Sequence, residues 1–338
     1  MAAAEACLLV TRRWWVRHGP ATEAAARRAG GTLVPVFLPE APDARLGEEE
    51  RERLTIALFS GDVYPVYSRS FFAAVQGAPR LQWLHVFNAG VDNPVFGRIL
   101  AKGVRLSTSS GSTAVPIAQT AVSGMLLLAR PWRRWLAAQA RRAWEPVPPE
   151  EAPLDLEGQT LTVVGLGAIG REIARLGRAF GLRVIGVRRR PRAADDPVDE
   201  LVHPRDLDRV LPRTQWLALA CPLTPETRRL IDARRLALLP RGAFILNVAR
   251  GEVIDEAALI AALEAGHLGG AYLDVFATEP LPPDSPLWAM PNVFISPHNS
   301  AVAQGNEARV AAIFQRNVER WFRGEPLENE ARPDDIPA

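Results

Sequence analysis

The feature that most constrains the fold is a glycine-rich turn between an apolar segment and an amphipathic one. The stretch Leu161-Thr-Val-Val-Gly165-Leu-Gly167-Ala-Ile-Gly170 runs from β-branched residues into apolar side chains at helical spacing. This order predicts a strand, a tight turn and a helix, followed by a second strand over Leu182–Val187. In such a βαβ unit the helix N-terminus can bind the pyrophosphate of a dinucleotide. We expect Gly165 to permit the turn, Gly167 to let a phosphate approach the backbone, and Gly170 to let the helix lie close to the strand.

Charge and cysteine content exclude several classes of function. The 338 residues include 40 basic and 38 acidic ones, interspersed, with a formal net charge of +2. This balance predicts neither a nucleic-acid partner nor a membrane partner. Lys102 is the only lysine, so a single arginine is weak evidence of function in this chain. The apolar run Cys7–Val10 is too short for a signal peptide, and Cys7 and Cys221 are too few for a disulfide framework or a zinc site. We therefore expect a cytoplasmic protein without a metal.

Short apolar runs alternate with helical patterns along the whole chain. The strands expected before the glycine turn are Cys7–Val10, Leu33–Phe37, Leu54–Phe59, Leu81–Val86 and Val104–Leu106. Those expected after it are Leu182–Val187, Gln215–Ala220, Ala243–Val248, Gly270–Leu273 and Val293–Ile295. The alternation predicts an α/β fold of two Rossmann-like domains with a cleft between them. The cofactor domain is expected to be a doubly wound parallel sheet.

The ends of the chain and one tryptophan-rich segment define the predicted domain organisation. The helical pattern of Gly305–Phe322 predicts a last helix that packs back on the first domain. We therefore expect a discontinuous substrate-binding domain over residues 1–109 and 300–338, and a dinucleotide-binding domain over residues 110–299. Within the second domain, the segment 131–150 carries Trp132, Trp135 and Trp144 among arginines. Large aromatic side chains beside charge indicate a protein interface, although they can also pack on their own domain.

Three residues that follow predicted strands have side chains suited to one reaction. Arg250 follows the strand that ends in Asn247-Val-Ala, Glu279 follows Asp274-Val-Phe-Ala-Thr, and His298 follows Ser296-Pro. A guanidinium binds a carboxylate bidentately, a histidine transfers protons near neutral pH, and a carboxylate beside it orients the ring. Taken singly, Arg250 would be interpreted as a surface charge, Glu279 with the following proline as a turn, and His298 as a structural histidine. Their shared placement beside a dinucleotide motif favours the reduction of a 2-keto acid.

From about Leu81 onward the chain resembles the D-2-hydroxyacid dehydrogenase family. The resemblance rests on Gly165–Gly170, Pro222-Leu-Thr-Pro-Glu-Thr227, Asn247–Gly251, Asp274-Val-Phe, Glu279-Pro and Pro297-His298, in the family's order. It implies that His298 is the general acid/base, that Glu279 is its carboxylate partner, and that Arg250 anchors the substrate carboxylate and keto oxygen. It also implies that the N–H groups of the Ala89-Gly90 turn help to hold that carboxylate, and that Asp274 orients the nicotinamide amide.

The residues assigned to ligands lie in the glycine turn and in the loops after later strands. Those expected to bind the cofactor are Gly165, Gly167, Ala168, Ile169, Gly170, Arg188, Arg189, Arg190, Pro222, Thr227, Val248, Ala249 and Asp274. Those expected to bind the substrate are Ala89, Gly90, Arg250 and His298. The resemblance further implies that the 131–150 segment is the arm through which the protein forms a homodimer.

The loop after the second strand of the βαβ unit determines the expected cofactor. An NAD site needs an acidic residue there to bind the ribose hydroxyls, but this chain has Arg188-Arg-Arg190. Arginines attract the 2′-phosphate that a carboxylate would repel, so we expect NADP(H), with NAD(H) as the alternative. A solvated basic loop on an NAD enzyme would give the same residues.

The expected function is NAD(P)H-dependent reduction of a small 2-keto acid to a D-2-hydroxy acid. Glyoxylate and hydroxypyruvate are the substrates that the resemblance favours, because the cofactor loop is similar to that of the NADP(H)-dependent glyoxylate/hydroxypyruvate reductases. A phosphoglycerate-type or other NAD-dependent 2-hydroxyacid dehydrogenase is the second reading. Formate dehydrogenases are also similar, but usually have glutamine at the position of Glu279. The family also includes corepressors, so a non-catalytic protein that senses dinucleotides is an alternative of a different class.

Overall fold

The computed structural model of the chain describes residues 4–91, 93–153 and 155–332. Two compact units are present, Met1–Ser112 with Ala303–Ala338, and Thr113–Val302. The domain boundaries predicted from the sequence lie between residues 109 and 110 and between residues 299 and 300. Each unit contains one parallel sheet with helices, so the predicted α/β fold with Rossmann-like domains is confirmed. The roles of the two units as substrate and cofactor domains stay predictions at this point.

The first unit is built on a five-stranded sheet of order β2-β1-β3-β4-β5. Every neighbouring pair of these strands is parallel. Its strands are β1 Ala4–Val10, β2 Gly31–Phe37, β3 Leu54–Phe59, β4 Trp83–Val86 and β5 Arg105–Thr108. Its helices are α1 Arg12–Arg28, α2 Glu48–Arg53, α3 Ser68–Gly77, α4 Pro94–Leu100 and α11 Asn306–Phe322, where α11 is numbered by its place in the whole chain. Parallel strands of this length, joined by helices, bury both faces of the sheet.

The last helix is part of the first unit, as the amphipathic pattern predicted. Phe314 of α11 packs edge-on against Trp14 of α1, with ring centroids 5.7 Å apart, and stacks on Trp83 of β4 at 5.2 Å. All three side chains are fully buried. Helix α1 begins at Arg12, where the Thr11 side chain caps it, and Pro20 is accommodated inside the helix.

The second unit is built on a seven-stranded sheet of order β12-β11-β10-β9-β6-β7-β8. Its neighbouring strands are also all parallel. The strands are β6 Thr160–Val164, β7 Arg183–Val187, β8 Glu200–Val202, β9 Trp216–Leu219, β10 Ala243–Asn247, β11 Leu268–Leu273 and β12 Val293–Ile295. The helices are α5 Ala114–Ala129, α6 Trp132–Ala140, α7 Ala168–Ala179, α8 Leu207–Val210, α9 Ala233–Leu238 and α10 Glu256–Glu264. Strand β6 lies inside the sheet, with β7 and β8 on one side and β9 to β12 on the other. The direction in which strands are added to the sheet therefore reverses at β6, and its carboxyl end is a switch point of the topology.

The almost wholly apolar helix α5 lies inside the second unit. A Cβ atom on its Gly124 would lie 2.3 Å from the Tyr272 ring of β11, so the helix approaches the sheet closely only because that residue has no side chain. Most of its residues are buried, including Ile117, Ala121 and Met125. Over the described residues, no helix is long and apolar enough to cross a membrane.

Candidate active site

The glycine turn joins β6 to α7 as predicted and leaves the start of the helix open. Gly165 has φ of +95°, which only glycine adopts without strain, and a Cβ on Gly170 would lie 1.8 Å from the Gly165 carbonyl oxygen. By contrast, a Cβ on Gly167 would meet nothing within 4 Å. Gly167 is the N-cap of α7 and offers no side chain to its first N–H groups. The exposed backbone at Gly167 and Ala168, together with the positive end of the helix dipole, therefore fits a pyrophosphate.

The other predicted cofactor residues lie in the turn or in the loops that follow β9, β10 and β11. Ile169 lies in the first turn of α7 and is partly buried. Thr227 ties its own loop together, since its hydroxyl donates to the Pro222 carbonyl at 2.6 Å. Val248 and Ala249 are buried directly after β10. All these loops lie at the carboxyl edge of one parallel sheet, where ligands of doubly wound folds bind.

The three arginines after β7 are not equivalent. Arg188 turns into the protein and makes a bidentate ion pair with Asp196, whose side chain is fully buried. Arg189 and Arg190 are exposed, and within the described parts of the chain neither makes an ion pair. Because the guanidinium of Arg188 is already engaged by a carboxylate, it is less available to a ligand than those of Arg189 and Arg190, and the binding of the cofactor by all three stays a prediction.

Arg250 follows β10 with an extended backbone, at φ −143° and ψ 149°. Its carbonyl accepts the side-chain N–H of Asn247 at 3.1 Å, and its Nη1 donates to the Ala249 carbonyl at 2.7 Å. A Cβ on the next residue, Gly251, would lie 1.9 Å from the carbonyl carbon of Phe276. The backbone after Arg250 thus packs directly against the turn that leads to Glu279.

His298 and Glu279 form a hydrogen-bonded pair at the same edge of the sheet. The Nδ1 atom of His298 lies 2.7 Å from Oε2 of Glu279, and Oε1 of Glu279 accepts the N–H of Phe276 at 3.0 Å. The side chain of His298 is 47% exposed, so the ring remains accessible to a ligand. With Nδ1 held by a carboxylate, Nε2 is the nitrogen available for proton transfer.

The backbone of His298 is held in an uncommon conformation by Asp274. His298 has φ of +49°, and its N–H donates to the Asp274 carbonyl at 2.8 Å. The buried Asp274 carboxylate accepts the Ser296 hydroxyl at 2.5 Å, the N–H groups of Asn299 and Ser300 at 3.1 and 3.0 Å, and the Ser300 hydroxyl. A left-handed non-glycine residue costs about 1–3 kcal/mol and persists only when its surroundings impose it.

These contacts give Asp274 a role that the sequence did not reveal. Its two oxygens accept four donors, which is about the full capacity of a carboxylate. Asp274 therefore fixes the loop that carries His298, and its contact with the nicotinamide amide stays a prediction. Tyr272 extends the network by bonding the Ser296 hydroxyl at 2.6 Å. Burial, opposed by this hydrogen bond and assisted by the charge of Asp274, raises the pKa of Tyr272 to about 12.

The predicted substrate turn lies in the first unit. The Asn88 side chain donates to the Gly90 carbonyl and closes the turn. The N–H groups of Ala89 and Gly90 donate to no acceptor in the described residues, so they are available to an anion. Next to this turn lies a cavity of about 670 Å³ whose walls include the rings of Phe59, Tyr64, Phe72, Phe87 and Phe96.

Sequence reasoning missed four polar side chains of the site: Arg171, Asp196, Ser296 and Ser300. Ser296 and Ser300 lie on either side of the Pro297-His298 motif, close enough to belong to one short loop. Two hydroxyl groups so placed could have indicated that the loop is held by a buried acceptor such as Asp274. For Asp196, the only signal was an acidic residue soon after the arginine run. Among the described residues, no group of three or more His, Cys, Asp or Glu side chains is arranged to hold a metal ion.

The chain is similar to known proteins over most of its length. Residues 122–300 match the family model "D-isomer specific 2-hydroxyacid dehydrogenase, NAD binding domain". The chain is 32% identical to a glyoxylate reductase of Korarchaeum cryptofilum over 297 residues, 85% of each protein. It is also 32% identical to a D-3-phosphoglycerate dehydrogenase of Methanocaldococcus jannaschii over 265 residues, which cover 78% of this chain but half of that relative's length.

A similar solved structure covers nearly the whole chain. It is a D-isomer specific 2-hydroxyacid dehydrogenase from Xanthobacter autotrophicus Py2 in complex with NADPH and MES, with 32% identity and a TM-score of 0.76 over 98% of this chain and 99% of that one. The family model matches the segment that carries the glycine turn, Arg250, Glu279 and His298. The chain belongs to the D-isomer specific 2-hydroxyacid dehydrogenase family.

Proposed function

We propose that this chain is an NADP(H)-preferring reductase that converts small 2-keto acids to D-2-hydroxy acids. The observation that carries the proposal is the 2.7 Å contact between His298 and Glu279. These two residues follow β12 and β11, Arg250 follows the neighbouring strand β10, and the glycine turn lies at the same carboxyl edge of the sheet. An acid/base residue, a carboxylate that orients it and a carboxylate-binding cation are the groups that this reduction needs. The family is one of nicotinamide-dependent oxidoreductases.

Each residue of the site has its own role in the proposed reaction. A bound nicotinamide supplies the hydride that the carbonyl carbon accepts. Arg250 binds the substrate carboxylate and the keto oxygen. The expected contribution of the Ala89 and Gly90 N–H groups stays a prediction. His298 donates a proton from Nε2 to the oxygen while the side chain of Glu279 holds Nδ1 of the ring. The neutral imidazole then regains a proton from water, to which its half-exposed ring has access.

The cofactor preference rests on the loop after β7. Exposed Arg189 and Arg190 provide positive charge where an NAD enzyme carries an acidic residue. The carboxylate nearest in sequence, Asp195, pairs with Arg171 at 2.8 Å, and Asp196 is buried. A similar structure from Xanthobacter autotrophicus Py2 contains NADPH. These observations favour NADP(H), and NAD(H) is the alternative.

The first substrates to consider are glyoxylate and hydroxypyruvate. Glyoxylate is supported by the Korarchaeum cryptofilum relative, which is a glyoxylate reductase. A phosphoglycerate-type activity has support from the Methanocaldococcus jannaschii relative, which is about twice as long as the matched segment.

We also propose that the protein is a cytoplasmic homodimer. On α6 and the segment after it, Trp132 is 40% exposed, Trp135 38%, Leu136 53% and Trp144 95%, an unusual amount of apolar surface for a free face. The cysteines are unpaired and buried, which suits a reducing compartment. The mass in solution at micromolar concentration tests the first statement, since a monomer would contradict it. Cell fractionation tests the second.

A panel of 2-keto acids assayed with both cofactors tests the proposed function. Absorbance loss of NADPH and of NADH is followed with glyoxylate, hydroxypyruvate, pyruvate and phenylpyruvate. We expect a higher kcat/KM with NADPH than with NADH for the best acid. A clear preference for NADH would contradict the cofactor assignment. Turnover with none of the acids would favour a dinucleotide-sensing binding protein.

A further inference from the structure

The buried carboxylate of Asp196 joins two segments that are expected to bind the cofactor. Its Oδ1 and Oδ2 accept Nη1 and Nη2 of Arg188 at 2.9 and 2.5 Å. Nη1 of Arg171 also donates to Oδ1, and the N–H of Ala193 donates to Oδ2 at 2.7 Å. The Asp196 side chain is fully buried, and that of Arg188 is 16% exposed. A buried carboxylate held by two guanidinium groups is a fixed point of the loop and a poor ligand for anything else.

The partners of Asp196 lie at the two positions that matter for a dinucleotide. Arg171 follows Gly170 in the first turn of α7, and Arg188 is the first residue after β7. Arg188 also donates to the carbonyls of Arg190 at 3.1 Å and Pro191 at 2.5 Å. The loop is therefore wrapped around the Arg188 guanidinium and tied by Asp196 to the helix that starts at the glycine turn.

Electrostatics favours the charged form of Asp196. Burial opposes its ionisation and is the largest single influence, but the Ala193 N–H, the Arg188 hydrogen bonds and the charges of Arg188 and Arg171 together outweigh it. They hold the pKa of Asp196 below its usual value. The carboxylate in turn neutralises Arg188, which is already turned away from solvent.

The remaining cations of the run are left on the outside of the loop. Arg189 and Arg190 are exposed. Glu226, whose pKa is lowered mainly by a hydrogen bond from Thr224, is also influenced by the charge of Arg189. The charge of Arg189 is thus felt in the Pro222–Thr227 loop, which follows β9 at the same carboxyl edge of the sheet.

We propose that Asp196 is a positioning residue for cofactor selectivity. By holding Arg188 inward and tying the loop to α7, it makes Arg189 and Arg190, and not Arg188, the cations that meet a 2′-phosphate. This inference rests on the NADP(H) preference proposed above. It adds that selectivity depends on a residue that touches no cofactor.

The test compares two probes that differ only in the 2′-phosphate, namely 2′,5′-ADP and 5′-AMP, titrated by calorimetry into the full-length protein. Wild type, Asp196→Asn and Arg171→Gln are compared with the control Glu172→Gln. Glu172 pairs with Arg175 at 2.7 Å on the same helix, one residue beyond Arg171, but does not reach the loop. Tryptic cleavage after Arg188 and Arg189 in the absence of ligand measures whether the loop is tethered. Circular dichroism and thermal melting establish that each variant is folded.

In the wild type we expect tighter binding of 2′,5′-ADP than of 5′-AMP. In Asp196→Asn the ratio of the two affinities should fall by about tenfold, equivalent to about 1.4 kcal/mol of binding free energy. The affinity for 5′-AMP should hardly change, and tryptic cleavage of the loop should accelerate. Glu172→Gln should match the wild type in all three measurements. If Asp196→Asn does not fold, Arg171→Gln decides, with a smaller fall of the same ratio expected.

Different results would overturn different statements. An affinity ratio unchanged in the folded Asp196→Asn variant, or in Arg171→Gln when Asp196→Asn does not fold, would overturn the role of Asp196 in selectivity. An equal loss for both probes would also overturn it, because a general structural defect would act on both. A wild type without preference for 2′,5′-ADP would contradict the proposed NADP(H) preference and with it selectivity through this loop. Proteolysis would still show whether the tether exists.

Discussion

Nδ1 of His298 lies 2.7 Å from Oε2 of Glu279, and the other oxygen of that carboxylate accepts the Phe276 N–H at 3.0 Å. One oxygen of the carboxylate is therefore held by the backbone of its own turn, and the other oxygen orients the imidazole ring. Ala277 of the same turn donates its N–H to Glu256 at 3.0 Å. Two carboxylates thus hold one turn, but only Glu279 contacts the histidine.

Glu279→Gln should lower kcat for keto-acid reduction by about tenfold or more, with little change in the affinity for the cofactor. The amide keeps the shape of the side chain but removes the charge that stabilises the protonated imidazole, and acid–base catalysis contributes about 10²–10⁴-fold. Steady-state kinetics measure the effect. Glu256→Gln is the matched control, since it alters the same turn without contacting His298. Equal losses in the two variants would show that the turn, and not the charge beside His298, is responsible.

Asp274→Asn should lower both thermal stability and kcat. A buried carboxylate that accepts four hydrogen bonds is replaced by an amide that must turn an N–H towards a donor. Hydrogen bonds to charged groups are worth about 1.5–3 kcal/mol each. Ser300→Ala removes one of the donors and should have the same effects to a smaller degree. An unchanged kcat with weakened binding of the cofactor in Ser300→Ala would instead favour a direct role of Asp274 at the nicotinamide.

Two glycines of the turn should respond differently to the same added methyl group, one in stability and the other in binding. In Gly170→Ala the Cβ would lie 1.8 Å from the Gly165 carbonyl oxygen, so the backbone must shift. Such overpacking costs about 1–3 kcal/mol, and the melting temperature should fall. In Gly167→Ala the Cβ meets nothing within 4 Å. That variant should melt like the wild type but bind the dinucleotide more weakly, because the methyl group obstructs the open backbone. Tight binding by Gly167→Ala would refute the proposed pyrophosphate position.

His85 should make the protein less stable as the pH falls. The buried ring bonds Ser107 at 2.7 Å and Ser109 at 2.9 Å, and burial lowers its pKa from 6.5 to about 3. Between those two values the unfolded chain binds a proton that the folded protein excludes, so stability is lost as the pH falls through about 6.5 towards 3. One such group contributes up to about 1.4 kcal/mol per pH unit. Urea denaturation of wild type and His85→Gln at several pH values measures the slope, which should be smaller in the variant. Identical slopes would contradict this assignment.

The parts of the site that could be predicted are those fixed by local pattern and by the geometry of a parallel sheet. The glycine spacing identified the turn before α7. The rule that ligands lie beyond the carboxyl ends of strands directed attention to Arg250, Glu279 and His298. The structure places all three after neighbouring strands, β10, β11 and β12. The fold followed from the same alternation, because each short apolar run can be buried on both faces only in such a sheet.

The parts that could not be predicted depend on contacts between segments distant in sequence. In the run Arg188–Arg190 the three cations look equivalent, and only the return of the chain at Asp196 turns the first one inward. Asp274 was assigned from a motif, whereas its hydrogen bonds with Ser296 and Ser300 depend on the path of the loop around His298. Which side chains pair in a buried charge network depends on the tertiary structure, and the local sequence carries little information about these pairs.

The chirality and stoichiometry of the product test the central claim most directly. Purified protein is incubated with hydroxypyruvate and NADPH, and glycerate is resolved by chiral chromatography while NADPH loss is recorded. We predict one D-glycerate for each NADPH oxidised, and a loss of about 10²–10⁴-fold in rate for a folded His298→Asn variant. Formation of L-glycerate, or near-native turnover by His298→Asn, would contradict the account.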